Sequence, residues 1–260
     1  MQITHHSVRQ DAGATCRQRR TAALVDAALL GACNQGAETR RIFLADYDIR
    51  PFGGQGGAEE GVRFVAPELG ALCAQADALV LGAPVYFGDI NGLTKDFMDS
   101  VRIPNENGKP ALGIAIAGGS GKGLYSGVQS IYHWFYHRQM RAIDPTPATR
   151  FSMEDVLAAL PASGARLAQS ALNPQPFAGE GREDRWAELV AHYAALPYLR
   201  CDPVDEFLTL AEQLVHQKRE HPAWEQAYEE LHQARVLLAR DERAQAGRHA
   251  VRAYDLLVQG

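Results

Sequence analysis

Several things are scarce in this chain, and each scarcity removes a class of function. Of its 260 residues 26 are Lys or Arg against 31 Asp or Glu, a formal net charge of -5. A nucleic-acid partner requires a clustered basic surface, so none is expected. No apolar run approaches the ~20 residues of a spanning helix, and Met1 to Arg20 has no apolar core of the kind a signal peptide carries. Neither a membrane segment nor secretion is expected. Cysteine is sparse: Cys16, Cys33, Cys73 and Cys201 are scattered, without the close pairing of zinc or cluster ligands. They read as reduced thiols of a cytoplasmic protein. What remains, 46 % hydrophobic and 22 % charged residues, describes an ordinary globular chain.

The chain is organised around Ala74 to Arg102. An apolar run, Ala78 to Leu81, breaks at Gly82-Ala83-Pro84 into a loop carrying Tyr86, Phe87, Gly88 and Asp89, after which Leu93, Phe97, Met98 and Val101 recur at helical spacing. That is a buried strand, a shaped loop and an amphipathic helix. A second unit repeats the plan: the strand Pro110 to Ala117, the loop Gly118-Gly119-Ser120-Gly121-Lys122-Gly123, and a helix from Leu124 to Met140. The glycine loop is not a Walker motif, since Ile116 stands where the first glycine is required and Gly123 where Ser or Thr is required. Nor is it a dinucleotide fingerprint, which belongs after the first strand. In an open parallel sheet ligands bind beyond the carboxyl ends of strands, so both loops fall where a cofactor is held.

The remaining elements follow in order. Met1 to His6 is short and polar; a helix runs from Thr21 to Gly36, and Thr39 to Leu44 reads as a strand. Gly61 to Gln75 is helical, Arg141 to Phe151 is a weak segment interrupted by prolines, which suit a sheet edge, and a helix runs from Ser152 to Leu172 with a break at Pro161. Trp186 to Leu199 is a further helix interrupted by Pro197. His133 and His137 share a helical face, a spacing that can clip a metal, but with no carboxylate between them they read as the rim of an aromatic face. From Cys201 the chain becomes helical throughout: Asp202 to Glu220, His221 to Arg240 and Asp241 to Gln259. The fold class is α/β, a doubly wound parallel sheet in residues 1–200, with an α-helical extension in 201–260.

The run APVYFGDINGLTKDFMDSVR resembles the second flavin loop of the flavodoxin-like NAD(P)H-dependent FMN reductases, in particular the branch containing the iron-sulfur flavoproteins. Pro84, Tyr86, Phe87, Gly88, Lys95, Phe97 and Asp99 match the pattern, while Ser100 replaces an arginine. The resemblance covers about Thr21 to Leu172. It implies a flavodoxin-like sheet and an oxidoreductase that binds FMN and uses NADPH or NADH to reduce FMN itself, a quinone or a similar small acceptor. The implied cofactor-binding residues are Pro84, Val85, Tyr86, Phe87 and Gly88 on one side of the ring. Gly118, Gly119, Ser120, Gly121 and Gly123 lie on the other, with Ser7, Arg9 and Thr21 at the phosphate. No side chain is expected to act as acid or base, and Asp89 and Lys122 either tune acceptor choice or are ordinary loop charges. The iron-sulfur branch carries a cysteine cluster where this chain has Phe52-Gly53-Gly54-Gln55-Gly56-Gly57, so no cluster is expected. The aromatic helix Leu124 to Met140 is a candidate dimer contact, and a homodimer or homotetramer is expected. Three alternatives stay open: an electron carrier, a binding or regulatory protein that has lost the cofactor, and an accessory enzyme whose C-terminal helices recognise a carrier or larger substrate.

Overall fold

The computed structural model describes residues 2–7, 16–51, 67–104 and 106–258. In chain order the strands are β1 (Gln2–Ser7), β2 (Glu38–Phe43), β3 (Ala78–Tyr86), the two-residue β4 (Asp89–Ile90), β5 (Pro110–Ala117) and β6 (Arg141–Thr149). They form one sheet in the order β2-β1-β3-β5-β6, parallel throughout except for β4, which folds back on β3. This doubly wound order is flavodoxin-like, with its switch point between β1 and β3. The short polar stretch at the N-terminus is thus a central strand: Ile3 to His6 pair with Ala78 to Leu81 on one side, and Gln2 to Ser7 with Glu38 to Phe43 on the other.

Alternation along β3 builds two cores. Leu79, Leu81, Ala83 and Val85 face the helices α2 (Pro67–Gln75), α3 (Gly92–Ser100), α4 (Leu124–His137) and α6 (Arg182–Ala195). Ala78 and Val80 face α1 (Cys16–Cys33) and α5 (Met153–Leu172) on the opposite side. Every residue of β5 is buried, as befits an interior strand covered on both faces. Each fully buried Val, Leu or Ile contributes roughly 1.5–3 kcal/mol, so these two layers supply most of what holds the sheet together.

Two expected breaks are absent. β3 continues through Gly82-Ala83-Pro84 to Tyr86. The reason is geometric: Pro84 O accepts from Asn91 N at 3.0 Å, and the N and O of one strand residue point to the same side, so the missing N–H faces away from β5 and takes nothing from that ladder. Helix α5 likewise runs straight through Pro161. Gly31 of α1 lies against the Pro161 backbone, and Gly164 of α5 against the Ala28 backbone, with no room for a Cβ at either. This close packing offsets the hydrogen bond that an interior proline removes. Helix α6 starts at Arg182, four residues earlier than the spacing predicts, with Asp184 accepting from Gly181 N, and stops before Pro197. Arg141 to Thr149 is indeed an edge strand.

The last helices are α7 (Pro203–Gln217), α8 (Trp224–Ala239) and α9 (Arg243–Val258). Asp202 caps α7, accepting from Val204 N at 2.7 Å and Asp205 N at 3.2 Å, with Pro203 at the first helical position. Their apolar faces close on one another and on Leu124, Tyr125 and Phe151. The helical unit is therefore seated at the start of α4.

Candidate active site

The crevice at the carboxyl end of the sheet is built by register. Leu79 pairs with Ala111 and Val85 with Ala117, so β3 and β5 end level and the loops that follow them stand side by side. Strand order reverses at β1/β3, which opens a gap above that point. Arg20, Pro84, Val85, Tyr86, Ile116, Gly118 and Gly119 line the resulting cavity.

One wall is a hairpin. Tyr86 pairs with Asp89, leaving Phe87 and Gly88 as a two-residue turn, with φ of 51° and 85°. Both residues take the left-handed region that such turns need. Asparagine is the usual first residue; a phenylalanine there is held against a backbone preference of roughly 1–2 kcal/mol. Phe87 is fully solvent-exposed and Tyr86 about one-third exposed, at 36 %. The turn is pinned from behind by α4: Ser126 donates to Gly88 O, and Ser130 donates to Asp89 Oδ1 at 2.6 Å. Asp89 thereby has a structural partner for its charge.

The other wall is the glycine loop. Gly118 has open space where a Cβ would project. Gly123, with φ of +87°, precedes α4 and abuts the hairpin: a Cβ there would lie 2.7 Å from Gly88 Cα and 2.6 Å from Val85 Cγ1. Val85 turns its side chain into the groove between Gly123 and Gly127 and shows the cavity mainly its backbone. The rest of the loop is gripped by the C-terminal helices. Tyr254 donates to Ser120 O at 2.8 Å, Leu210 fills the space beside Gly121, and Lys122 lies over the rings of Phe207 and Tyr254. Glu206 accepts from Gly123 N at 3.1 Å and Tyr125 N at 3.2 Å. Gly118 and Gly119 thus border the cavity, whereas Ser120, Gly121 and Gly123 shape the loop from its far side.

In α1, Thr21 is buried and its hydroxyl has no hydrogen-bond partner among the described residues, an exception to the usual satisfaction of buried polar atoms. Arg20, its neighbour, reaches the cavity. The backbone of Ser7 ends β1 beside Phe43, while Arg9 lies outside the described residues, as do Phe52 to Gly57. Sequence reasoning passed over Arg20 as one arginine among several, and it had no way to find Glu206, Leu210 or Tyr254, which stand far along the chain from the loop they hold.

The cavity lining contains a guanidinium, a phenol, apolar side chains and backbone, with no His, Asp, Glu, Lys or Cys among the described residues. Nearby Tyr125 is pushed up to about 12 by burial. Burial also raises Tyr254. Neither phenol exchanges protons near neutrality. What the described lining offers is shape, aromatic and backbone surface, and one positive charge. A flat conjugated ring with a phosphate tail would fit it: the two loops would flank the ring, and Arg20 on the lining would meet the anion. Of the described cysteines, Cys33 is exposed, Cys73 buried and Cys201 intermediate, and no group of three metal-ligating side chains occurs among the described residues.

Comparison with known proteins agrees with this geometry. The chain is 32 % identical over 138 residues to an iron-sulfur flavoprotein of Methanocaldococcus jannaschii, covering 48 % of this chain and 71 % of that protein. An oxidoreductase from Corynebacterium diphtheriae superposes with a TM-score of 0.52 at 14 % identity over 67 % of this chain and 98 % of that one. A flavone reductase gives 0.51 at 16 % identity over 71 % and 69 %. At those identities the two structures speak for the fold alone. The family model described as NADPH-dependent FMN reductase matches residues 12–152, a span holding both loops of the crevice. The chain belongs to the NADPH-dependent FMN reductase family and is an FMN-dependent oxidoreductase.

Proposed function

We propose that the crevice above β3 and β5 holds FMN, and that the protein reduces a small acceptor, a free flavin or a quinone, at the expense of NADPH or NADH. When bound, FMN supplies the two-electron chemistry between nicotinamide and acceptor. The observation that carries this reading is the lining itself, which provides shape and one positive charge but, among the described residues, no His, Asp, Glu, Lys or Cys. The backbone of Pro84 to Gly88 borders one side of the ring, with Tyr86 and Phe87 offering aromatic surface. Gly118 and Gly119 border the other, and Ser120, Gly121 and Gly123 keep that loop in shape. Arg20 on the lining, with Thr21 beside it in α1, is the candidate phosphate contact. The wholly exposed Phe87 supports a second role for the hairpin tip, contact with another copy of the chain in a homodimer or homotetramer.

The test is the visible spectrum of the purified protein with and without added FMN, followed by anaerobic NADPH and NADH. Bound flavin that bleaches with a nicotinamide supports the reading, and comparison of the two rates assigns the reductant. A protein that neither carries nor takes up FMN overturns it. Light scattering coupled to size exclusion reads the assembly.

A further inference from the structure

Helix α4 lacks a cap of its own. Gly123 precedes it and contributes no side chain, so the first amides of the helix depend on a partner from elsewhere. That partner is Glu206 of α7, whose two carboxylate oxygens accept separately from Gly123 N and Tyr125 N at 3.1 and 3.2 Å. On the other side of the loop Tyr254 of α9, 1 % exposed, donates to Ser120 O at 2.8 Å, and Leu210 fills the place where Gly121 lacks a Cβ. The loop holds glycine at 118, 119, 121 and 123, and such a sequence has no preferred shape of its own. Its shape comes from the C-terminal helices.

We propose that Glu206 and Tyr254 are positioning residues for the flavin site: the C-terminal helical unit preorganises the Gly118–Gly123 loop, and the Glu206 carboxylate offsets the positive end of α4 where that helix meets the hairpin at Gly88. The proposal rests on the crevice being the FMN site. Each loop residue that must otherwise be ordered on binding weakens affinity about 5- to 30-fold. A carboxylate on a helix N-terminus also disfavours added negative charge nearby, so removing it favours reduced over oxidised FMN about two- to fivefold.

The experiment compares Glu206→Ala, Glu206→Gln and Tyr254→Phe with the unaltered protein. FMN affinity is read from flavin fluorescence, the ratio of affinities for reduced and oxidised FMN from a redox titration, and loop order from hydrogen exchange of the apoprotein. Glu206→Ala and Tyr254→Phe are expected to weaken FMN at least fivefold, with faster exchange confined to residues 118–125. Glu206→Gln keeps an acceptor oxygen, recovers most of the affinity and still shifts the ratio toward reduced FMN. Unchanged affinity and exchange in the variants, with FMN bound normally by the unaltered protein, overturns the positioning role alone. Faster exchange throughout the chain, with lowered thermal stability, overturns it in favour of a merely structural contact. If the unaltered protein binds no FMN, the site reading itself fails and this proposal with it.

Discussion

Replacing Gly123 by alanine tests whether the two walls of the crevice touch. The residue is held at φ +87°, where an L side chain is disfavoured by roughly 1–2 kcal/mol. Its new methyl would lie 2.6 Å from Val85 Cγ1, 2.7 Å from Gly88 Cα and 3.0 Å from Gly88 C. Two of these are backbone atoms of a short hairpin that cannot rotate aside, so an overpacking cost of about 1–3 kcal/mol adds to the strain. The expected destabilisation is therefore about 2–5 kcal/mol. Two other glycines isolate the parts: Gly36 at +81° and Gly88 at +85° have nothing within 4 Å of a Cβ, so alanine there carries the strain alone, about 1–2 kcal/mol. Urea unfolding of the three variants, with unchanged slope, measures the difference. FMN titration adds a second reading, since Gly123→Ala displaces the hairpin whereas Gly36→Ala lies at the far end of α1 and leaves binding unchanged. Equal losses of stability for Gly123→Ala and Gly36→Ala would refute the contact between the walls.

Three further outcomes follow from single contacts. Lys109 Nζ donates to the carbonyls of Cys73, Ala74 and Ala76 at 2.8, 3.2 and 2.7 Å, closing the end of α2; Lys109→Met removes these three bonds and should cost about 1–3 kcal/mol in a denaturant titration. His192 shares a hydrogen bond of 2.8 Å between Nε2 and Ala142 O, and burial, opposed by that bond, holds its pKa below 6.5. Arg141 lowers it further and Glu188 raises it. The unfolded chain then binds a proton before the folded one as pH falls, so stability declines below pH ~6.5, and His192→Gln should flatten that part of the profile. Cys73, fully buried with its thiol pushed up to about 12, should resist a thiol reagent until the protein unfolds, while exposed Cys33 reacts at once; peptide mapping of the labelled protein decides.

How much of this could be read from residues alone depends on where each contact sits in the chain. β3 and β5 are legible because interior parallel strands are continuous apolar runs, and Asp202-Pro203 marks α7 because a cap and a fixed φ act locally. β1 is hard to see. Its Gln2, Thr4, His5, His6 and Ser7 lack apolar character, and its place in the sheet comes from pairing with strands on both sides. Pro84 and Pro161 look like breaks because the sequence does not say which way a missing N–H faces or what packs against a helix. Within the site, the glycine loop is visible from its glycines, whereas the hairpin reads only as a loop, because Phe87 is not a usual first residue of such a turn. That Val85 locks between Gly123 and Gly127, and that Glu206 caps a helix 83 positions earlier, are facts of tertiary packing with no local signal.

The hold of Tyr254 on Ser120 spans 134 positions, and this has a consequence for how the protein is made. At the ~5–20 residues per second of synthesis, those positions take roughly 7–27 s to appear. Sheet strands up to β6 are already available during that interval, whereas the glycine loop waits for α7 and then α9. Contacts of such long sequence separation also close slowly. The crevice is thus finished last, by the final helix, so that a cut anywhere between β6 and α9 that releases the last helix leaves a formed sheet with an unfinished loop.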